Sequence, residues 1–285
     1  MDAPKKRFAW QPLTPKGIGA FAEATLGRLL LVQFIVAVLV GAAVAWVIYQ
    51  DWFPVPALAL DKLPDQAKIQ NGRLEWHADS PVLLAENRFL ALSVDLKHEG
   101  NARSPAHVAV ELGESDCKIF SLLGYAAWKY PAGWRILLSR AAVIPWWGAW
   151  RPAILAFAVA GVIIIMMVFW WGLALLYAGP AWLAAFFTNR ELSLAGSSRI
   201  GGAALLPGSF LLIAAILAYG VGWFGLIGLF LLVGLHVVLG WFFLIATLVK
   251  LPPQRETAAL KENPFARPDE KSGPAASTES PPQTK

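Results

Sequence analysis

Two polar side chains stand inside otherwise uncharged apolar runs: Gln33 in residues 29–49 and His236 in residues 224–249. A polar group in hydrocarbon is costly, so it marks a pathway, a binding site or a hydrogen bond between helices. An imidazole there could relay a proton, but none of the apolar runs holds an Asp, Glu, Lys or Arg to complete a relay. One interhelical hydrogen bond, to Gln33, Ser209 or a backbone carbonyl, would satisfy a neutral imidazole. His236 and Gln33 are therefore the candidate intramembrane polar site, with a structural role favoured over a functional one.

Outside the runs, Asp95, Glu99, Glu111, Glu114 and Asp116 make one segment acidic. Carboxylates are the ligands a divalent cation needs, although a solvated acidic loop is the stronger reading of such spacing. His77, His98 and His107 are scattered, and a lone cysteine, Cys117, excludes an intramolecular disulfide and any Cys/His metal spacing. No phosphate-binding G-x-x-x-x-G-K-[ST], H-E-x-x-H or G-x-S-x-G occurs. The expectation is no catalytic residue, no metal, no cofactor and no enzyme. The net charge of +5 carries no dense Lys/Arg stripe interleaved with aromatics, which argues against nucleic acid as a partner.

The elements that must position these residues follow from hydropathy. Hydrophobic residues make up 57% of the chain and charged residues 15%, and the excess is gathered in blocks. Each block must satisfy its own backbone as a helix if it lies in lipid. The predicted fold class is an α-helical integral membrane protein with four transmembrane helices and a small, mainly-β (α+β) extracytoplasmic domain between helices 1 and 2. A cytoplasmic N-terminal segment (1–28) precedes helix 1 (29–49), the β-rich domain (50–151) and helix 2 (152–178). Gly179-Pro180 should break that helix, leaving an interfacial segment and cytoplasmic loop (179–199). Helix 3 (200–219), kinked at Pro207, and helix 4 (224–249) form a hairpin, and a disordered cytoplasmic tail (250–285) follows. Ala57-Leu58-Ala59 looks like a signal cleavage site, but the preceding run is too long and Pro54 and Pro56 intervene, so the first run reads as a retained helix.

Within the polar segment the period changes to two. Residues 66–70, Asn71-Gly72 and residues 73–76 read as strand, tight turn and strand, because Asn-Gly tolerates the positive φ of a type I′ turn. Leu90, Leu92, Val94 and Leu96 alternate, as do Val108, Val110 and Leu112, with 98–101 as their connection, so a mainly antiparallel sheet with one buried face is expected. Residues 121–149 read as a short amphipathic helix leading into a Trp-rich interfacial stretch.

Orientation follows from the basic residues. Lys5, Lys6, Arg7, Lys16 and Arg28 flank the first run, Arg190 and Arg199 the second connection, and six more the tail, while 220–223 has none. The positive-inside tendency then puts both termini in the cytoplasm of a cell whose inner membrane holds the chain. Asn263-Pro264-Phe265 in the tail reads as chance rather than a docking peptide.

The order of parts, together with Leu63-Pro64-Asp65, Ile69-Gln70-Asn71-Gly72-Arg73-Leu74, residues 93–100 and Arg199-Ile200 with Ala204-Leu205-Leu206-Pro207, resembles a bacterial membrane family known only as domain of unknown function 1189. The resemblance spans residues 15–250 and implies architecture and a cell-envelope setting; that family's Thr-Thr turn is absent here. The functional expectation is a non-enzymatic envelope sensor, binding or scaffold protein acting through its extracytoplasmic domain, with the lipid bilayer, an envelope protein or another copy as partner. The alternative is a small transporter or channel subunit using the helix bundle around His236.

Overall fold

A computed structural model describes residues 10–100 and 104–253. Residues 10–25 build a plug. Thr14 accepts a hydrogen bond from Gly17 N (3.1 Å) and Pro15 supplies a preset φ, starting the short helix α1 (Pro15–Gly19). A 3₁₀ turn over Ala20–Ala22 follows, and Ile18 and Phe21 are fully buried at one end of the helix bundle. Thr25 then caps α2 (Leu26–Val47). A π turn, Ile48–Trp52, leads into α3 (Pro54–Leu60), again begun by a proline in its first turn.

Four helical stretches are long and apolar enough to cross a membrane: Leu26–Leu60, Arg140–Phe187, Leu194–Gly220 and Leu226–Val249. The second is one helix, α4 (Arg140–Phe187), and the fourth is α7 (Leu226–Val249). The third is α5 (Leu194–Ala204), capped by Ser193, followed by α6 (Leu206–Gly220), with Pro207 in its first turn. Of the four stretches it is the most buried, and α2, α4 and α7 pack around it. Its glycines permit that: a Cβ at Gly202 would lie 3.0 Å from the Gln33 amide nitrogen, and one at Gly208 would lie 2.7 Å from the backbone oxygen of His236. The outward faces of α2, α4 and α7 carry exposed Leu, Ile, Val and Phe side chains.

The strands form two sheets. β1 (Lys68–Gln70) lies between β2 (Arg73–Glu75) and β8 (Arg135–Leu137), antiparallel to both. The Asn71-Gly72 hairpin forms as its sequence predicts, with φ of 52° and 75°. The larger sheet runs β3 (Val82–Glu86), β4 (Leu90–Val94), β5 (Val108–Leu112), β6 (Asp116–Ser121) and β7 (Gly124–Lys129). One core joins α3 to both sheets: Val55 and Ala59 pack with Ile69, Leu74, Leu84, Leu90 and Val94. Burial fades along the larger sheet, from a mostly buried β4 to a fully exposed β7.

Several expectations are corrected. The predicted fold class, four helices with the β-rich domain between helices 1 and 2, gives way to seven α-helices among the described residues, with the strands between the third, α3, and the fourth, α4. The proline-started helices α1 and α3 account for the difference in order. The strand pairing is mainly antiparallel, as expected, but β4 and β5 pair in parallel, so their connection is a crossover rather than the expected hairpin loop. Residues 121–149 form β7, β8 and the first turns of α4 instead of an amphipathic helix. Gly179-Pro180 does not end α4: Tyr177, Ala178, Ala181 and Ala185 remain buried on both sides of the proline, and packing against the bundle holds the helix to Thr188, whose hydroxyl donates to Ala184 O (2.6 Å). The connection predicted over 179–199 therefore shrinks to 188–193. The tail from 254, Asn263-Pro264-Phe265 and Lys5, Lys6 and Arg7 lie outside the described residues.

Candidate functional site: the joint between sheet and helix hairpin

The β3–β4 turn is shaped by Asn87. Its side-chain oxygen accepts from Phe89 N and Leu90 N, each at 2.9 Å, and its amide donates to the backbone oxygen of Asp51 in the π turn. That fixes Arg88 and Phe89 at the domain's edge. The Arg88 guanidinium donates to Gly222 O (2.8 Å) and to Phe224 O, both in the α6–α7 turn, where Gly222 has a φ of +82°. His107, just before β5, is held by its N–H on Arg88 O (3.0 Å). Its Nδ1 lies 2.7 Å from the Tyr219 hydroxyl on α6, and the two rings stack at 5.5 Å. Phe89 meets both rings edge-on, 5.1 Å from Tyr219 and 5.7 Å from His107.

Three parts of the chain thus meet at one point: the end of α2, the domain's β3–β4 turn and the α6–α7 hairpin. Burial, and then the Arg88 charge, hold the His107 imidazole below its ordinary pKa. Charge-assisted bonds from a planar guanidinium to two carbonyls fix distance and angle together, as a hinge pin would. Arg151 of α4 lies over Tyr49 (4.7 Å) and Phe53 (5.1 Å), so α4 also grips the π turn that follows α2.

A second constellation lies inside the domain. Both nitrogens of His98 are taken, Nδ1 by Glu111 on β5 and Nε2 by Asp116 on β6 (2.6 Å). Burial disfavours the imidazolium, but the hydrogen bonds to Glu111 and then Asp116 outweigh it and raise the pKa of His98. Asp95 accepts from Gly100 N (2.8 Å); burial pushes its carboxyl up, but backbone N–H groups of Gly100, Glu99 and Lys97 hold it below the usual range. Glu114 pairs with Arg73 (3.1 Å) and Glu99 with Lys97 (3.9 Å). The acidic segment is therefore spent on internal partners, and the direct His98–carboxylate contacts leave no gap for a cation between them. Cys117 sits beside them, its thiol pushed up by burial and by the charges of Asp116 and Glu111, so it is a poor nucleophile.

The predicted intramembrane pair is not brought together. Gln33 on α2 donates to Gly202 O (3.3 Å) on α5. His236 on α7 is 1% exposed and accepts, at Nε2, the indole N–H of Trp170 on α4 (3.1 Å). Of the partners expected for His236, neither Gln33 nor Ser209 serves: Ser209 donates to Leu205 O instead (3.1 Å). With Nε2 accepting, the ring proton sits on Nδ1, which lies against the backbone of Gly208 on α6, so of the expected partners the backbone is the one the fold supplies. Sequence reasoning missed Trp170, one tryptophan among 14, and missed Arg88 and Tyr219 altogether. Only the Asn87-Arg88 pair at a strand end hinted at a turn with a cation on it.

No family model, curated protein or solved structure matches the chain.

Proposed function

We propose that the chain is a multi-pass inner-membrane protein with both termini in the cytoplasm, and that its β-rich domain, on the far side, is a non-enzymatic sensing or binding module coupled to the helices. The joint carries this reading: Arg88, His107 and Asn87 tie one turn of the domain to the ends of both α2 and α6. A ligand or partner that shifts the domain must therefore move the helix hairpin. Contacts among the described residues at the far end of the bundle support the orientation. Arg199 donates to Ala22 O and Arg190 to Leu251 O, so the plug, the α4–α5 connection and the end of α7 gather opposite the domain, an end that also carries Lys16, Arg28 and Lys250. Kinship with the 1189 family rests on short motifs alone and lends no activity.

The transporter alternative has weaker support. The accepting nitrogen of His236 is occupied by Trp170, and the ring packs against Gly208 of the central helix with no charged residue beside it. The discriminating experiment is complementation of a strain lacking the chain. Replacing residues 61–139 by a short Gly/Ser linker, at normal abundance, should abolish rescue, whereas His236→Leu should restore it. The reverse pattern overturns the sensing reading in favour of a path through the bundle.

A further inference from the structure

A cavity of about 620 Å³ opens beside the joint, between the β5–β6 side of the domain and the start of α7. Its walls divide by chemistry. Ser104, His107 and Ser121 supply hydroxyls and an imidazole, while Phe120, Leu122 and Ile227 supply apolar surface. Among the described residues, no Asp, Glu, Lys or Arg lines it. The volume suits a bound small molecule, and the clamp of Arg88 and Tyr219 holds the sheet off the hairpin so that the space does not collapse.

We propose that this cavity takes a membrane phospholipid, with its glycerol and ester region inside and one acyl chain running down the outward face of α7. The inference rests on the membrane-spanning reading above and names a ligand for the same joint. Three observations select lipid over a soluble molecule. First, the floor of the cavity is where the apolar stretch of α7 begins, which in a bilayer is the level of the ester groups. Second, the wall continues without a polar break from Ile227 to the exposed Phe230 and Leu231, a track suited to an alkyl chain and useless to a polar solute. Third, the mouth is flanked by Leu123 of the β6–β7 turn, 87% exposed, and Trp223 of the α6–α7 turn, 82% exposed, as side chains at headgroup depth would be. The neutral lining matches ester carbonyls, which need donors and no counter-charge.

The test uses the full chain reconstituted in phosphatidylethanolamine/phosphatidylglycerol vesicles containing a trace of phosphatidylethanolamine with a diazirine near its acyl carbonyl. After irradiation, peptide mapping should place adducts on residues 120–122 and 226–228 well above the level on the outward face of α4 at 157–165. Gly225→Phe fills the mouth, since a Cβ there meets nothing within 4 Å and its φ of −85° suits any residue; Ala109→Trp fills the wall. Either should lower cavity adducts about tenfold, equivalent to ~1.4 kcal/mol of lost affinity, with α4 adducts unchanged. Cavity peptides labelled no more than α4 in the unsubstituted protein, or labelling indifferent to a folded filling variant, would overturn the proposal while leaving the membrane reading intact. Absence of adducts on all four apolar stretches would overturn both.

Discussion

His98 and His107 stand at the two ends of one crossover, and the structure drives them in opposite directions. His98 lies between Glu111 and Asp116, whose hydrogen bonds outweigh burial and favour the imidazolium; Lys118 opposes that charge without reversing the direction. His107 lies against Tyr219 and Phe89, and burial first and then the nearby Arg88 charge favour its neutral form. The internal clamp therefore favours a ring proton that the joint disfavours. What faces each ring, rather than the ring itself, sets its charge.

The largest effect expected from breaking this contrast is at the clamp. Glu111→Ala leaves a half-buried imidazolium short of one partner and should destabilise the domain by about 3 kcal/mol. The check is thermal unfolding of the full chain, with Cys117 thiol accessibility reporting on β6; an unchanged Tm would mean the clamp is no more than a solvated contact. Next is Arg88→Met, which removes two charge-assisted bonds at the joint and should cost about 2 kcal/mol. It should also let the His107 pKa rise, readable by NMR of the labelled ring; a fall would contradict the electrostatic account.

The pH response should separate the two rings. Because the pKa of His98 is raised in the folded state, its stabilisation is complete below the ordinary imidazole value of about 6.5 and is lost as pH rises through the folded value. His107 is lowered, so its contribution is complete above about 6.5 and is lost as pH falls through the folded value. The Tm gap between the native chain and Glu111→Gln should therefore shrink on going alkaline, and the gap to His107→Phe on going acid. Parallel trends would refute the opposition. Asp95, held low, adds stability that disappears only as pH falls through its depressed value, below about 3.9.

The smallest effect extends the comparison to a third histidine. Trp170→Phe removes the side-chain hydrogen bond to His236 and should cost about 1 kcal/mol, and His236→Leu about as little, because an interhelical hydrogen bond between neutral groups contributes modestly. A loss as large as at Glu111 would show that His236 carries more than a packing role.

Much of the helical frame was legible in the residues. Uncharged runs long enough to span hydrocarbon announced the four apolar stretches, since an apolar solvent leaves the backbone one local solution. Asn71-Gly72 announced its hairpin because positive φ is a local requirement. Local signals failed where packing competed with them. Pro180 reads as a helix end, yet Ala181 and Ala185 are buried against the bundle and carry the helix on. The candidate site was less legible: Gln33 and His236 were visible as polar exceptions, but their partners, Gly202 O and Trp170, lie on other helices.

Composition and period alone determined that this chain divides into apolar helices and a polar, strand-bearing segment, because solvation and backbone hydrogen bonding act residue by residue. Which groups meet was settled only by the tertiary fold. Arg88 reaches Gly222 and His107 reaches Tyr219 across more than a hundred residues of chain. The charge on each histidine depends on such encounters, since a pKa responds to neighbours in space and not in sequence.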